Sequence, residues 1–190
     1  KQLIDRYKIC VMSLSLPLSG LRILSAEQYG AGPYGSMLLA DLGAEVIKVE
    51  PPGGDPVRGW GSNINGNAVW FSVHGRNKLS VTLDLKKPDD RAKLIALLRR
   101  ADGLIENFRA GYLERVGLGP DVLHGENPRL VIGRISGYGQ DGPYKDKPAF
   151  GAIGEAMGGL RHLTGHPGEQ GLPPPRCGVS ISDDLAGIYC

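Results

Sequence analysis

The sequence predicts an α/β fold in which helices flank a parallel sheet, and three observations support this prediction. Short apolar runs typical of buried strands recur along the chain. Segments with helical spacing lie between them, and most junctions carry glycine or proline, which mark turns. Strands that alternate with helices are typical of a parallel sheet, because the chain must cross over to start each new strand in the same direction.

The first unit is predicted as a strand, a glycine turn, a helix and a second strand. LRILSA (21–26) is a short apolar run, and YGAGPYG follows it. SMLLADLGA (36–44) has helical spacing and leads directly into EVIKVE (45–50), a second strand. The composition of 51–67, with its many glycines and prolines, predicts a loop.

The middle of the chain continues the alternation. LSVTLDL (79–85) alternates apolar and polar residues, which predicts a half-buried strand. KPDDRAKLIALLRRA (87–101) places proline and aspartates at a helix start and arginines at its end, as the helix dipole favours. DGLIEN (102–107) and RLVIGRISG (129–137) are two further strands, with two short helices predicted between them.

The pattern becomes less regular after Gly137. A turn-rich loop is followed by AIGEAMGGLRHL (152–163), which predicts a helix, and then by a second loop. VSIS (179–182) is predicted as a strand, and DDLAGIYC (183–190) as the first turns of a helix. Met12 is a candidate for the true start of the protein.

Composition and charge narrow the class of partner. The net charge is +2 and no long basic run accompanies it, so neither a nucleic-acid nor a membrane partner is predicted. The cysteines lack C-x-x-C spacing and the histidines lack metal-ligand spacing, which predicts no metal site. Three cysteines, an odd number, fit a reducing cytoplasm better than a disulfide framework (Cys10, Cys177, Cys190).

The GAGPYG turn satisfies the dinucleotide pattern G-x-G-x-x-G at Gly30, Gly32 and Gly35, and Glu50 lies about 20 residues further on. Glycines at the start of a helix let phosphates approach the backbone amides. The proline and tyrosine inside the motif add bulk where a pyrophosphate would lie. We therefore favour the simpler interpretation, in which the glycines close a tight strand-to-helix turn.

Two adjacent carboxylates, Asp183 and Asp184, lie where the last helix is predicted to begin. One interpretation is structural, because a short polar side chain at a helix start caps backbone amides. The other is chemical, because the same amides stabilise an ionised carboxylate that can act as a nucleophile. Arg109 and Arg115 are open to a similar choice between binding phosphates and facing solvent. The residue pattern leaves both choices open.

Five motifs, in order from about Leu18 to the last residue, resemble the class III CoA-transferase family. They are YGAGPYGSMLLADLGAEVIKVEPPGGDPVR, RNKLSVTLDLKKPDDR, ADGLIENFRAGYLERVGLGPDVL, ISGYGQDGPY and GVSISDDLAG. The resemblance implies that residues 18–190 form a Rossmann-like domain that binds coenzyme A and not NAD, preceded by an extension over residues 1–17. It also implies that acyl-CoA and a carboxylic acid are the substrates, with no permanently bound cofactor.

The resemblance assigns roles to individual residues. The family's catalytic aspartate lies four residues before a helical glycine, which selects Asp183, counted back from Gly187. Asp183 would attack the thioester and later carry CoA as an aspartyl thioester. Relatives contact CoA at the positions of Leu83, Lys86, Asn107, Phe108 and Arg115. Arg109 is a further candidate for a phosphate contact.

Departures from the family pattern favour a transferase over a racemase. Racemase relatives carry His-Asp where this chain has Phe150 and Gly151, and a racemase needs that base to move an α-proton. Glu155, in the same predicted helix, either lines the site or faces solvent. A racemase-like enzyme and a non-catalytic CoA-binding remnant remain the alternatives.

The length of the chain also departs from the family. Family members are roughly twice as long and form interlocked homodimers. The chain is therefore interpreted as the N-terminal part of a family member, and the activity of this part alone is left open.

Overall fold

The computed structural model describes residues 15–165, 171 and 174–190. Predictions about Cys10, Met12 and His166 lie outside the described residues. Within them the strands are β1 (Arg22–Ala26), β2 (Glu45–Glu50), β3 (Asn63–Ile64), β4 (Asn67–Ala68), β5 (Lys78–Thr82), β6 (Gly103–Glu106) and β7 (Val131–Arg134). The helices are α1 (Ala31–Asp41), α2 (Val69–His74), α3 (Pro88–Leu98), α4 (Tyr112–Arg115), α5 (Pro120–Glu126), α6 (Gly151–Met157), α7 (Leu160–Leu163) and α8 (Ile181–Tyr189), with a 3-10 turn at Pro56–Gly59.

Five of the strands form one parallel sheet in the order β5-β2-β1-β6-β7, which confirms the predicted fold class. In the central strand β1, Leu24 pairs with Ile47 of β2 on one side and with Leu104 of β6 on the other. The strands β2 and β5 extend the sheet in one direction and β6 and β7 in the other. The order therefore reverses between β1 and β6, the place where open α/β sheets usually bind their ligands.

The two faces of the sheet carry different cores. On one face, Leu24 and Leu104 pack with Leu94 and Leu98 of α3 in a leucine-rich cluster in which each side chain is at most 2% exposed. On the other face, a smaller cluster joins Val46 to the helix α1. The alternation of side chains along β1 and β2 thus supplies both faces. No helix in the described ranges is long and apolar enough to cross a membrane.

Two predicted elements have different bounds in the structure. The predicted strand 79–85 ends at Thr82, and because β5 is an edge strand its Leu79 is 58% exposed. The predicted helix 152–163 divides into α6 and α7, because Gly159 adopts a left-handed conformation with φ 82°.

The prediction of a strand at 179–182 is wrong. Ile181 and Ser182 form the first turn of α8. A four-residue apolar run does not distinguish a strand from a helix, and here helix packing decides, because α8 lies directly against α1. The strand ends and the helices α1, α6 and α8 together define the candidate site.

Candidate active site

Asp183 lies half-buried in the first turn of α8, and neither it nor Asp184 is the residue that begins the helix. That position belongs to Ser180, and the Ser180 side chain makes no capping hydrogen bond. The Asp184 amide donates to the Ser180 carbonyl at 3.0 Å in the ordinary helical manner. The capping interpretation of the aspartate pair is therefore wrong, because the helix starts two residues before Asp183.

The starts of three helices meet at the Asp183 side chain. Gly30, the residue before α1, approaches it so closely that a Cβ there would lie 3.5 Å from the Asp183 carboxyl group. Gly151, the first residue of α6, is closer still, since its Cβ would lie 2.6 Å from Asp183 Oδ2. Helix starts carry partial positive charge, so α1, α6 and α8 together favour negative charge at this point.

Gly35, the last glycine of GAGPYG, serves helix packing. A Cβ on Gly35 would lie 2.6 Å from the Gly187 carbonyl oxygen, and a Cβ on Gly187 would lie 2.6 Å from the Ala31 carbonyl oxygen. The left-handed residue of the turn is Tyr29, with φ 68°. The tight-turn interpretation fits Gly32, where a Cβ would lie 2.9 Å from Glu27 Cβ, but Gly35 has a different role, because it allows α1 and α8 to approach and so helps to place Asp183.

The pKa of Asp183 is raised above its ordinary value. Burial is the largest cause, followed by the negative charges of Asp184 and Glu155, while the cation of Arg176 acts in the opposite direction. No hydrogen bond reaches the Asp183 carboxyl group from the described part of the chain. The group is thus a basic carboxylate without a structural partner, which is the state expected of a nucleophile.

Glu155 faces the protein interior, so the solvent-facing interpretation is wrong. Its side chain is fully buried, and neither carboxylate oxygen has a hydrogen-bond partner among the described residues. The nearest cation is Arg161, whose Nε lies 3.8 Å from Glu155 Oε2. Helical spacing places Glu155 on the same face of α6 as Gly151, the face that packs on α8.

A cleft of about 320 Å³ opens at the carboxyl ends of β2, β5 and β6. Three of the six predicted CoA-contact residues line it, namely Leu83, Lys86 and Phe108. The Phe108 and Tyr112 rings form its aromatic wall, with centroids 4.6 Å apart. The cleft thus lies where the predicted CoA site would need it.

The other three predicted CoA-contact residues do not line the cleft. Asn107 accepts from the Gln28 amide at 2.8 Å and donates to the Gln28 carbonyl at 2.6 Å, so it ties the loop after β1 to the end of β6. Arg109 and Arg115 are exposed beside the cleft residues Phe108 and Tyr112. Their contact with CoA stays a prediction.

Sequence reasoning missed a buried ionic group beneath α1. Glu27 is fully buried, and its Oε1 lies 3.0 Å from Lys78 Nζ. Lys48 Nζ lies 2.9 Å from Asp55 and donates to the Glu27 carbonyl at 3.0 Å. Ser36, on α1, donates to Glu27 at 2.6 Å. A lysine inside the apolar strand EVIKVE was the available signal, because a buried charge requires a partner.

Glu50, which the dinucleotide pattern would assign to a ribose, is occupied within the protein. Burial alone would raise its pKa, but hydrogen bonds from Arg58, Ser80 and the Asp55 amide lower that pKa to about 2. Arg58 donates twice to the carboxylate, at 2.7 Å each. Glu50 therefore holds the loop after β2 and has no free oxygen pair for a ribose.

Aromatic side chains gather beside Asp183, and the sequence analysis did not predict them as a group. The Tyr29 ring lies 5.5 Å from the Trp60 ring and 5.8 Å from the Phe150 ring, measured between centroids. Tyr29 and Phe150 are the neighbours in sequence of Gly30 and Gly151, which contact Asp183. Scattered aromatic residues far apart in sequence gave no pattern from which to infer this.

The family match covers the whole of the described parallel sheet and the candidate site. The model of CoA-transferase family III matches residues 18–190 of the chain. The match includes Asp183, the cleft and all five strands of the parallel sheet.

Two curated relatives illustrate the similarity. The chain is 51% identical over 175 residues to succinyl-CoA–D-citramalate CoA-transferase of Chloroflexus aurantiacus, covering 91% of this chain and 43% of that protein. It is 41% identical over 174 residues to acetyl-CoA:oxalate CoA-transferase of Acetobacter aceti, covering 91% of this chain and 44% of that protein. The chain thus spans less than half the length of these curated relatives.

A solved structure shows the same fold. A CaiB/BaiF family protein from Brucella suis superimposes with a TM-score of 0.85 at 36% identity, covering 92% of this chain and 48% of that chain. The similarity therefore extends from sequence to the arrangement of the strands and helices.

Proposed function

The chain belongs to CoA-transferase family III, and from that premise we propose that it moves coenzyme A from an acyl-CoA to a carboxylic acid, with Asp183 as the nucleophile. The observation that carries the proposal is the position of the Asp183 carboxylate. It has no hydrogen-bond partner among the residues that the structure describes, has a raised pKa, and lies where three helix starts converge. Covalent catalysis of this kind needs such a carboxylate close to a site that accepts CoA.

The proposed reaction uses Asp183 twice. Its oxygen attacks the thioester carbonyl, the carbon–sulfur bond breaks, and a mixed anhydride and CoA thiolate result. The thiolate then attacks the Asp183 carbonyl, releases the first acid as its carboxylate, and leaves an aspartyl-CoA thioester. The acceptor carboxylate repeats the two steps in reverse, which gives the new acyl-CoA and restores Asp183.

The backbone at the start of α6 is placed to stabilise the negative charge that develops in these steps. Each attack places negative charge on an oxygen next to Asp183. Gly151 lacks a side chain, so the backbone at this helix start approaches the carboxyl group directly. Backbone amides that are already oriented stabilise such an oxyanion without reorganisation.

The cleft is the proposed CoA site because it is close to Asp183 along the chain. Gln28 lines the cleft, and Gly30 contacts Asp183. Two residues of extended chain span at most about 7 Å. A CoA chain that leaves the cleft past Gln28 therefore needs only a short reach to present its thioester to Asp183. The proposed contacts are Leu83, Lys86, Asn107, Phe108, Arg109 and Arg115.

The finer features of the whole protein are part of the proposal. We infer an interlocked homodimer that works in the cytoplasm on acyl-CoA and a carboxylic acid, without a permanently bound cofactor. Succinyl-CoA is the first donor to test, because several relatives are named for it. The racemase alternative is disfavoured because Phe150 lies at the position where racemase relatives carry the histidine base.

The test is to trap the acylated residue. The protein is incubated with succinyl-CoA and with acetyl-CoA, hydroxylamine is added to convert an activated carboxyl to a hydroxamate, and the modified residue is located by mass spectrometry. We expect the hydroxamate on Asp183. Asp183→Asn should abolish it, and Asp184→Asn serves as the matched control that keeps the modification.

Two results would contradict the proposal. Modification of another residue would show that Asp183 is not the nucleophile. Folded protein that binds CoA without forming any adduct would favour the non-catalytic CoA-binding alternative.

A further inference from the structure

Glu155 is a buried carboxylate whose two oxygens have no hydrogen-bond partner among the described residues. Leaving a buried charge without hydrogen bonds is costly, so a side chain of this kind is retained only where its charge is useful or balanced. Arg161, 3.8 Å away, balances it in part, but the Arg161 Nε atom is itself without a hydrogen bond. The contact is therefore a weak ion pair, which neutralises the Glu155 charge only in part.

The packing of α6 on α8 directs this charge toward Asp183. Gly151 contacts the Asp183 carboxyl group, and Gly154 faces Ser182, the residue before it. Glu155 lies one helical turn after Gly151 and so on the same face. Because neither glycine has a side chain, this face of α6 lies directly against the first turn of α8, which contains Asp183.

Four charged groups surround the Asp183 carboxyl group or act on it through a neighbour. Asp184 lies on the same helix, Glu155 on α6, and Arg176 in the segment before α8. Arg161, in α7, acts on Asp183 only indirectly, because it partly neutralises Glu155. Two anions and one cation act on Asp183 directly, so burial and the neighbouring side-chain charges together oppose a negative charge on this residue and outweigh the effect of the helix starts.

We propose that Glu155 acts through Asp183, its buried negative charge favouring the acylated, uncharged form of Asp183 over the free carboxylate. The inference rests on the proposed function, in which Asp183 is the nucleophile. Glu155 is then a positioning residue and needs no contact with either substrate.

The charge balance of the first step gives the reason. When the Asp183 oxygen bonds to the thioester carbon and the carbon–sulfur bond breaks, the electron pair leaves on sulfur. The negative charge moves from Asp183 to the CoA thiolate, away from Glu155 and Asp184. Repulsion that was present in the free enzyme is relieved, so the covalent intermediate becomes easier to form.

The test compares Glu155→Gln with the unaltered protein by two measurements. Carbon-13 NMR of aspartate-labelled protein follows the titration of Asp183, assigned by its absence in Asp183→Asn. Hydroxylamine trapping at a fixed succinyl-CoA concentration measures the acylated fraction. We expect the apparent pKa of Asp183 to fall and the trapped fraction to decrease about threefold to tenfold, as the loss of one neighbouring charge would give.

Glu45→Gln is the matched control, since Glu45 is an exposed glutamate paired with Arg22. It should change neither measurement. If Glu155→Gln fails to fold, Arg161→Gln gives the opposite test. Removing the partially exposed cation exposes Asp183 to more of the Glu155 charge and should raise the apparent pKa of Asp183.

The outcomes separate this inference from the proposed function. An Asp183 titration that is unchanged in Glu155→Gln, or in Arg161→Gln if only that variant folds, overturns the role of Glu155. If the unaltered protein forms an adduct and Glu155→Gln forms as much, the inference is overturned and the proposed function stands. An unaltered protein that forms no adduct overturns both.

Discussion

Asp183 carries its negative charge in a partly dry environment beside two other carboxylates. Its raised pKa means that the folded protein holds the proton more tightly than the unfolded chain does. Folding stability from this group is therefore greatest at acid pH and is lost as pH rises through the pKa of the folded state. At neutral pH the residue lowers the free energy of unfolding, a common property of functional groups.

Asp183→Asn should stabilise the protein at neutral pH, because it removes the charge and keeps the shape. We expect the melting temperature at pH 7 to rise by up to about 4 °C, equivalent to about 1 kcal/mol in a domain of this size. The gain should disappear as pH falls toward the ordinary carboxyl value of 3.8. Differential scanning calorimetry across this pH range is the measurement.

Asp141→Asn is the control for this prediction. Asp141 is exposed in the loop after β7, so its replacement should change the melting temperature little at any pH. A lower melting temperature for Asp183→Asn at pH 7 would show that the Asp183 charge stabilises the fold.

The contact between α1 and α8 depends on two glycines that face one another. Gly35 lies in α1 and Gly187 in α8, and backbone atoms of each helix occupy the space where a Cβ of the other would lie. Backbone cannot move aside as a flexible side chain can, so any larger residue must separate the helices. This contact sets the position of Asp183, which is one turn before Gly187.

Gly35→Ala should destabilise the protein by about 2–3 kcal/mol, within the range measured for overpacked interiors. It should also reduce adduct formation at Asp183, since α8 must shift. Gly125→Ala is the matched control, because Gly125 lies in α5 with open space around it and should gain up to about 1 kcal/mol in helix propensity. Urea denaturation measures both, and equal stabilities would show that the helices adjust freely.

The loop between β2 and β4 depends on a different contact, the pairing of Glu50 with Arg58. With its pKa lowered to about 2, Glu50 stabilises the fold fully above about 4.5 and loses that contribution as pH falls toward 2. Ser80 of β5 also donates to Glu50 at 2.6 Å, so the carboxylate joins the loop to the sheet edge.

Arg58→Met should lower the free energy of unfolding by about 1–3 kcal/mol at pH 7, because Glu50 stays buried and loses its cationic partner. The estimate allows for Arg58 itself, whose side chain is 44% exposed. The difference from the unaltered protein should shrink between pH 4.5 and 2.5 in urea denaturation. Arg99→Met, which breaks the more exposed Arg99–Glu126 pair, should cost less than about 1 kcal/mol and serves as the control.

In the described part of the molecule a cleft lies at the reversal of strand order. The ligand that binds there distinguishes the CoA interpretation from the NAD interpretation of the sequence motifs. Coenzyme A should stabilise the protein against heat, by about 2.7 kcal/mol at a hundredfold excess over its dissociation constant. NADH at the same concentration should have little effect, since Glu50 is occupied by Arg58. A thermal-shift titration with both compounds checks this, and stabilisation by NADH alone would favour a dehydrogenase-type site.

Sequence analysis predicted the sheet well because its signals are local. The strands β1, β2, β6 and β7 and the helix α3 follow from apolar periodicity, glycine turns and charges at helix ends. Membership of the CoA-transferase family was predicted from five ordered motifs and is confirmed by the match over residues 18–190. The division at residue 17, the CoA contacts and the role of Asp183 stay predictions.

Local patterns failed where contacts between distant segments decide the structure. The strand predicted at 179–182 is absent, and its last two residues begin the helix α8, which packs on Gly35, some 150 residues earlier in the chain. For Glu155 the sequence left open whether it lines the site or faces solvent, and the folded structure buries it. Neither outcome is encoded within a window of a few residues.

The order of strands and helices, the family and the aspartate pair could all be derived from the amino-acid sequence. Periodicity and motif order can be identified in the linear sequence, because each depends on residues that are neighbours in sequence. Which carboxylates are buried, why the GAGPYG glycines are required, and how three helix starts converge on Asp183 depended on the folded chain. Burial and electrostatic coupling are properties of distances in space, and residues 30, 151 and 183 become neighbours only after folding.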